Sequence, residues 1–171
     1  MKRIVLAVIA LLLTLSSTRL AHADSIAQNI ADARTHYAQI ERNLKNDTRV
    51  ETDFPDQSSE GGTFIVYFHN GTPRKIVAHF FGEMGNVQDD YYFWNGRLFF
   101  VLETQIRYEE PLGKEKSRKQ NRFYFTDAKL TRWVNYKGET QDETEKWFKM
   151  NDTEKLNDAR QYLAKANQLL D

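Results

Sequence analysis

The chain has 171 residues, of which 24 are lysine or arginine, 24 are aspartate or glutamate and none is cysteine. The absence of cysteine excludes disulfides, thiolate nucleophiles and thiolate metal sites. Residues 1–23, which resemble a removable leader, carry three basic residues and no acidic one, so the remainder has 21 basic and 24 acidic residues, a net charge of about −3. This mildly acidic balance argues against a nucleic-acid-binding protein, which would concentrate positive charge.

The N-terminal residues, 1–23, have the features of a secretory signal peptide. Lys2 and Arg3 precede an apolar run that is too short for a comfortable membrane span. Small residues at Ala21 and Ala23 form an A-x-A cleavage site. We therefore expect cleavage after Ala23 and a periplasmic or secreted protein without a stable membrane anchor. An uncleaved anchor is the alternative.

Two segments have the apolar spacing of amphipathic helices. In residues 24–45 and again in residues 152–170, apolar side chains recur every three or four positions. Asn151 is predicted to cap the second helix, and residues 140–150 are predicted to form a third, shorter one. The two apolar stripes could form a dimeric coiled coil. Each has fewer than three heptads, however, which favours packing on their own domain.

Between the helices the hydrophobic period changes to two, which is typical of β-strands. Asn-Gly and other short turn signals separate the strands and leave no room for crossover helices. The sequence therefore predicts one α+β domain, residues 24–171. It is an antiparallel β-meander of six or seven strands, with amphipathic N- and C-terminal helices packed on one face. The predicted strands are residues 49–54, 62–69, 73–81, 87–94, 97–108, 120–126 and 129–136.

Three hairpins share a sequence pattern. YFHNGTPRKIV (67–77), YFWNGRLFFVL (92–102) and YFTDAKLTRWV (124–134) align without gaps, at irregular spacing. They resemble the Tyr…Asn-Gly hairpins of MORN-type and related bacterial β-hairpin repeat proteins over about a third of the chain. The chain departs from that pattern in its spacing and in lacking the extra glycines. The resemblance implies a hairpin-built sheet and an interaction role, and it carries over no catalytic residue.

Pairing outward from the Asn95-Gly96 turn assigns side chains to two faces, because successive residues of a strand alternate sides. The predicted pairs are Trp94–Arg97, Phe93–Leu98, Tyr92–Phe99 and Tyr91–Phe100. One face is nearly all hydrocarbon and is predicted to be the core beneath the helices. Its members are Tyr91, Phe93, Leu98, Phe100, Leu102, Ile106, Phe64, Val66, Phe68, Phe123, Phe125, Leu130 and Val134. Lys75, His79 and Arg132 do not fit this face and need an edge, a bulge or a snorkelling path.

The opposite face mixes aromatic rings, arginines and carboxylates, and it is the predicted binding surface. Tyrosine, tryptophan and arginine dominate binding hot spots. The predicted ligand- or partner-binding residues are Tyr67, Tyr92, Trp94, Arg97, Arg122, Tyr124 and Trp133. Arg74, Asp90 and Glu103 share the face. The alternatives are ordinary cross-strand pairing on a solvated face, or cover by a helix or by the segment around Trp147.

The sequence contains no motif that names a metal or a cofactor. His36, His69 and His79 each lack a second ligand at the spacing of zinc sites, so we expect neither a metal nor a cofactor. The charged loop at residues 111–119 could touch an anionic partner, although such a run is more typical of a solvated, mobile loop.

Acidic residues offer the one candidate for catalysis. Glu83, Asp89 and Asp90 could form a carboxylate pair with Glu103, but ordinary surface charge explains them better. We therefore expect no catalytic residue. The predicted function is that of a non-enzymatic binding or interaction protein whose partner is a protein or small molecule of the cell envelope. The alternatives are a carboxylate-dependent hydrolase and a structural subunit of an envelope assembly.

Overall fold

The computed structural model describes residues 24–55 and 58–170. The predicted signal peptide and its cleavage site lie outside the described residues. Helix α1 covers residues 24–43 and continues into a 3₁₀ turn, Leu44–Asn46. The later elements are β1 Thr48–Asp53, β2 Gly62–His69, β3 Thr72–Gly82, β4 Gly85–Trp94, β5 Arg97–Tyr108, β6 Glu115–Thr126, β7 Lys129–Val134 and helix α2 Lys146–Gln168.

The strands form one seven-stranded sheet in the order β1-β2-β3-β4-β5-β6-β7. Every neighbouring pair is antiparallel, because each connection is too short to carry the chain across the sheet. The predicted α+β class and the β-meander are therefore confirmed.

Two element boundaries differ from the prediction by more than two residues. Strand β6 begins at Glu115, so most of the predicted loop at 111–119 is strand paired with β5. Hydrophobic period could not reveal this extension, because its side chains are polar and exposed. Helix α2 begins at Lys146, and Phe148 in its first turn is buried in the core. The separate short helix and the cap at Asn151 are thus wrong, since Asn151 lies inside α2.

The three repeated hairpins share one turn geometry. Both central residues have positive φ in each: Asn70 (50°) and Gly71 (74°), Asn95 (50°) and Gly96 (74°), and Asp127 (50°) and Ala128 (57°). Positive φ at both positions defines the type I′ turn, whose twist matches the flanking strands. The hairpin pattern in the sequence therefore corresponds to a real structural repeat.

Each of these hairpins also carries a β-bulge at the same position of its second strand. The second residue pairs from the turns are Phe68–Pro73, Phe93–Leu98 and Phe125–Leu130, and the third pairs are Tyr67–Lys75, Tyr92–Phe100 and Tyr124–Arg132. Arg74, Phe99 and Thr131 are the extra residues. A bulge places two residues opposite one and shifts the alternation of the strand beyond it.

The bulges correct the predicted faces. Of the four predicted pairs, Trp94–Arg97 and Phe93–Leu98 are confirmed, whereas Tyr92 pairs with Phe100 and Tyr91 with Val101. Phe100, Leu102 and Val134 consequently leave the predicted core face, and Val101 enters it. The same shift takes the misfits Lys75, His79 and Arg132 off that face.

The two helices lie against opposite faces of the sheet. Helix α2 covers a core that contains Tyr91 and Phe93, whereas helix α1 covers a second cluster that contains Tyr92 and Phe100. The expectation that both helices pack on one face is not confirmed. The physical reason is that the central strands present large apolar side chains on both sides, and each side needs a covering layer.

Candidate functional site

The structure disperses the residues of the predicted binding surface. Tyr92 and Tyr124 are buried in the cluster beneath α1, with 1% and 8% of their surface exposed. Trp133 lies on the other face, stacked on Phe123 at 5.5 Å between ring centroids. That placement differs from the prediction because the bulge at Thr131 inverts the strand.

The remaining predicted residues lie at the margins of the α1 face. The Trp94 ring stacks on His36 of α1 at 4.0 Å and receives the guanidinium of Arg74 at 4.6 Å. Tyr67 is half-buried opposite Lys75. The side chain of Arg97 is 81% exposed beside the Asn95-Gly96 turn. No open aromatic platform results, because α1 covers the middle of this face.

A buried ionic cluster attaches α1 to the sheet. The Tyr92 hydroxyl donates to Glu41 Oε1 at 2.7 Å, and Lys75 Nζ donates to the same oxygen at 2.9 Å. Lys75 Nζ also lies 3.3 Å from Asp90 Oδ2. Burial alone would lower the pKa of Lys75, but Asp90 and Glu41 raise it above its ordinary value. Lys75 is therefore a fixed positive charge within the fold.

A second buried cluster attaches α2 to the opposite face. Lys155, 3% exposed, donates to Asp89 Oδ2 at 2.8 Å and to Glu103 Oε2 at 3.0 Å. Burial raises the pKa of Asp89 to about 6, against the opposing effect of Lys155. Burial would also raise the pKa of Glu103, but Lys155 and Asn121 lower it below its ordinary value. These carboxylates hold a helix in place and are shielded from solvent.

A groove of about 570 Å³ opens where α1 meets strands β5, β6 and β7. Its size lies in the range of small-molecule sites. Aromatic side chains from three elements form its apolar wall, namely Tyr37 of α1, Phe100 of β5 and Tyr124 of β6. The groove is the uncovered margin of the α1 face.

Arginines from three elements line this groove: Arg34 from α1, Arg122 from β6 and Arg132 from β7. Of the described residues that line it, none is acidic. Nor does any of the three arginines form an ion pair with a carboxylate in the part of the chain that the structure describes. The Nε of Arg132 is buried and has no hydrogen-bond partner among the described residues. The groove therefore carries uncompensated positive charge.

Sequence reasoning found part of this groove. Arg122 and Tyr124 were predicted as binding residues, and both line it. Arg132 was missed as a site residue, although its misfit with the apolar face was the available signal. Nothing in the sequence indicated that Arg34 belongs to a site, because arginine is common on the polar side of an amphipathic helix.

Other site types find no support in the described residues. Within 24–55 and 58–170, no group of three or more His, Cys, Asp or Glu side chains is placed to hold a metal ion. Neither of the described helices is long and apolar enough to cross a membrane. No protein-family model, curated protein or solved structure matches the chain.

Proposed function

We propose that the protein is an exported, non-enzymatic binding protein of the cell envelope whose ligand site is the groove between α1 and strands β5–β7. The observation that carries the proposal is the convergence of Arg34, Arg122 and Arg132 on one concave surface with an aromatic wall. Concave sites with an apolar lining and a few convergent polar groups are typical of small-molecule binding. The groove replaces the open aromatic face that the sequence suggested.

Export is supported by the sequence alone. A basic segment, an apolar run and Ala21-His22-Ala23 occur in the order of a secretory signal. The cysteine-free composition agrees with a domain that relies on its core for stability outside the cytoplasm.

The non-enzymatic part of the proposal rests on the engagement of the reactive side chains. Asp89 and Glu103 are both bound to Lys155. His69 Nδ1 lies 2.8 Å from Asp47 Oδ1, and the His36 ring is stacked on Trp94. These contacts give each of the four side chains a structural role. They therefore favour a binding function over that of a carboxylate-dependent hydrolase.

Native mass spectrometry tests the proposal. The protein is incubated with a small-molecule extract of the cell envelope and transferred under non-denaturing conditions. The Gln120→Trp variant places a large ring in the groove and retains all three arginines, because Gln120 lines the groove. Gln105→Trp is the matched control, since Gln105 is exposed and lies one residue from the Thr104 that pairs with Gln120.

We expect wild type and Gln105→Trp to retain a small-molecule adduct that Gln120→Trp loses. An adduct retained equally by Gln120→Trp would place the ligand elsewhere, and the absence of any adduct on wild type would contradict the binding function.

A further inference from the structure

We infer that the ligand of this groove is a small organic anion. Its carboxylate or phosphate group binds Arg34, Arg122 and Arg132, and its apolar portion lies against Tyr37 and Phe100. The inference rests on the proposed function and adds the chemical class of the ligand. Three observations carry it: the charge of the groove, the chemistry of its donors and its shape.

The first observation is the charge imbalance. Two buried lysines of this protein, Lys75 and Lys155, each have two carboxylates close to their ammonium groups. The three groove arginines have no such partners among the described residues. Like charges that converge without compensation repel one another, so an anion bound between them would relieve the repulsion. The same charges would attract anionic ligands during diffusion and disfavour cationic ones.

The second observation is the type of donor. A guanidinium group presents planar N–H donors in a fixed fork, which matches the oxygens of a carboxylate or phosphate. Arg122 and Arg132 project from adjacent strands, and each is half-buried, which limits competition from water. The buried Nε of Arg132 is a donor without an acceptor in the described structure. An oxyanion would supply that acceptor.

The third observation is the apolar wall. Tyr37 packs edge-on against Phe100 at 5.6 Å, and both side chains line the groove together with Leu102. A bare inorganic ion would leave this wall in contact with water. A ligand with an aromatic or aliphatic portion would cover it, which adds a hydrophobic contribution to binding. The volume of about 570 Å³ lies in the range of small-molecule sites.

A titration with paired probes tests the inference. The probes are 2-naphthoate, its neutral amide 2-naphthamide, and inorganic phosphate, and binding is followed through the backbone amide resonances of ¹⁵N-labelled protein. The two naphthyl compounds share a ring system and differ in charge, whereas phosphate supplies the charge without the ring. Wild type is compared with Arg34→Gln and Arg132→Gln. Arg97→Gln is the control, because it removes the same charge from an exposed side chain outside the groove.

We expect 2-naphthoate to shift the resonances of groove residues and to bind at least about tenfold more tightly than 2-naphthamide, the size of one lost charge-assisted hydrogen bond. Each groove variant should lower the affinity for 2-naphthoate by about tenfold or more, and Arg97→Gln should leave that affinity unchanged. Arg34 is exposed on α1, so its substitution spares the fold even if Arg132→Gln does not. Phosphate binding more tightly than 2-naphthoate would assign the ligand to the phosphate class and remove the role of the aromatic wall.

Equal binding of 2-naphthoate and its amide would overturn the anion inference and leave the binding function intact. Failure of both anions to shift groove resonances would overturn it as well. Failure of the binding function is separate, because it appears as the absence of any retained adduct in native mass spectrometry.

Discussion

Tyr91 and Tyr92 are adjacent in β4, yet their hydroxyl groups donate to carboxylates of two different helices. Tyr91 bonds Asp158 of α2 at 3.0 Å, and Tyr92 bonds Glu41 of α1 at 2.7 Å. Successive side chains of a strand point to opposite faces, so this dipeptide attaches both helices to the sheet. In the preceding dipeptide, Asp89 pairs with Lys155 of α2, whereas Asp90 pairs with Lys75 of β3, whose ammonium group also contacts Glu41 of α1.

Removal of either tyrosine hydroxyl should weaken the attachment of one helix. We expect Tyr91→Phe and Tyr92→Phe each to lower the free energy of unfolding by about 1.5–3 kcal/mol, the range for hydrogen bonds to charged groups. Urea denaturation measures the change. Tyr136→Phe is the control, because Tyr136 is exposed and should change stability by less than about 0.5 kcal/mol. Equal effects at all three positions would contradict the assigned roles.

The same tyrosines predict a loss of stability in alkali. Burial raises the pKa of Tyr91, Tyr92 and Tyr162 above its ordinary value. Above about pH 10 the unfolded chain loses these protons while the folded chain keeps them, so the free energy of unfolding falls as pH rises. We expect Tyr91→Phe to reduce this slope. Tyrosinate absorbance checks the assignment, since fewer than the 8 tyrosines should ionise before unfolding.

Among the charged residues of α2, Lys155 should be the one whose substitution lowers the free energy of unfolding most. Its removal leaves Asp89 and Glu103 buried without a counter-charge. We expect Lys155→Met to lower the free energy of unfolding near neutral pH by about 3–5 kcal/mol. Lys149→Met is the control on the same helix, because Lys149 is exposed, and it should have an effect within about 0.5 kcal/mol. Thermal or urea unfolding provides the measurement.

The loss of unfolding free energy caused by Lys155→Met should also depend on pH. Burial raises the pKa of Asp89 to about 6 although Lys155 lowers it, so folded Lys155→Met takes up this proton at a higher pH than the folded wild type does. Protonation removes the uncompensated charge. We therefore expect the difference between wild type and Lys155→Met to shrink as pH falls from about 7 to about 4. A difference independent of pH would mean that lost packing, and not charge, causes the penalty.

Ala128 occupies a turn position that favours glycine. Its φ is 57°, whereas the equivalent positions of the other two repeated hairpins hold glycine. An L-residue with a side chain is less stable in this left-handed region by about 1–2 kcal/mol. Relief of this strain should raise the free energy of unfolding of Ala128→Gly by up to about 1 kcal/mol. The gain is smaller than the strain itself, because glycine loses more backbone entropy on folding.

The opposite sign is expected for the same substitution in a helix. Ala164 is exposed within α2, and Ala164→Gly should lower the free energy of unfolding by about 1 kcal/mol. A stabilising effect at Ala164 or a destabilising one at Ala128 would contradict the assigned backbone conformations.

The turn chemistry shows how much of this fold was available from sequence. Asn70-Gly71 and Asn95-Gly96 predicted the hairpins, and with them the antiparallel order of the sheet. Local residue preference dictates such turns. The bulges that follow them were not predictable in the same way, because Arg74, Phe99 and Thr131 share no side-chain property.

The bulges that the sequence did not reveal account for most of the difference between the predicted binding surface and the observed groove. Each one moved a residue that follows it, such as Arg132, from the expected face to the other. With that shift, large apolar residues appear on both sides of β5, which is why the two helices cover different faces. The polar side chains of Lys75, His79 and Arg132 on an apparently apolar face were the sequence signal of this inversion.

The most direct measurement is the side-chain Nε–H spectrum of ¹⁵N-arginine-labelled protein, with and without 2-naphthoate. Arg132 is the residue to follow, because it lines the groove and its buried Nε lacks an acceptor among the described residues. If the groove holds an organic anion, the Arg132 Nε–H resonance should shift and sharpen on binding, while that of exposed Arg97 should not move. An Arg132 resonance unchanged at saturating 2-naphthoate would contradict the assignment of this groove as the ligand site.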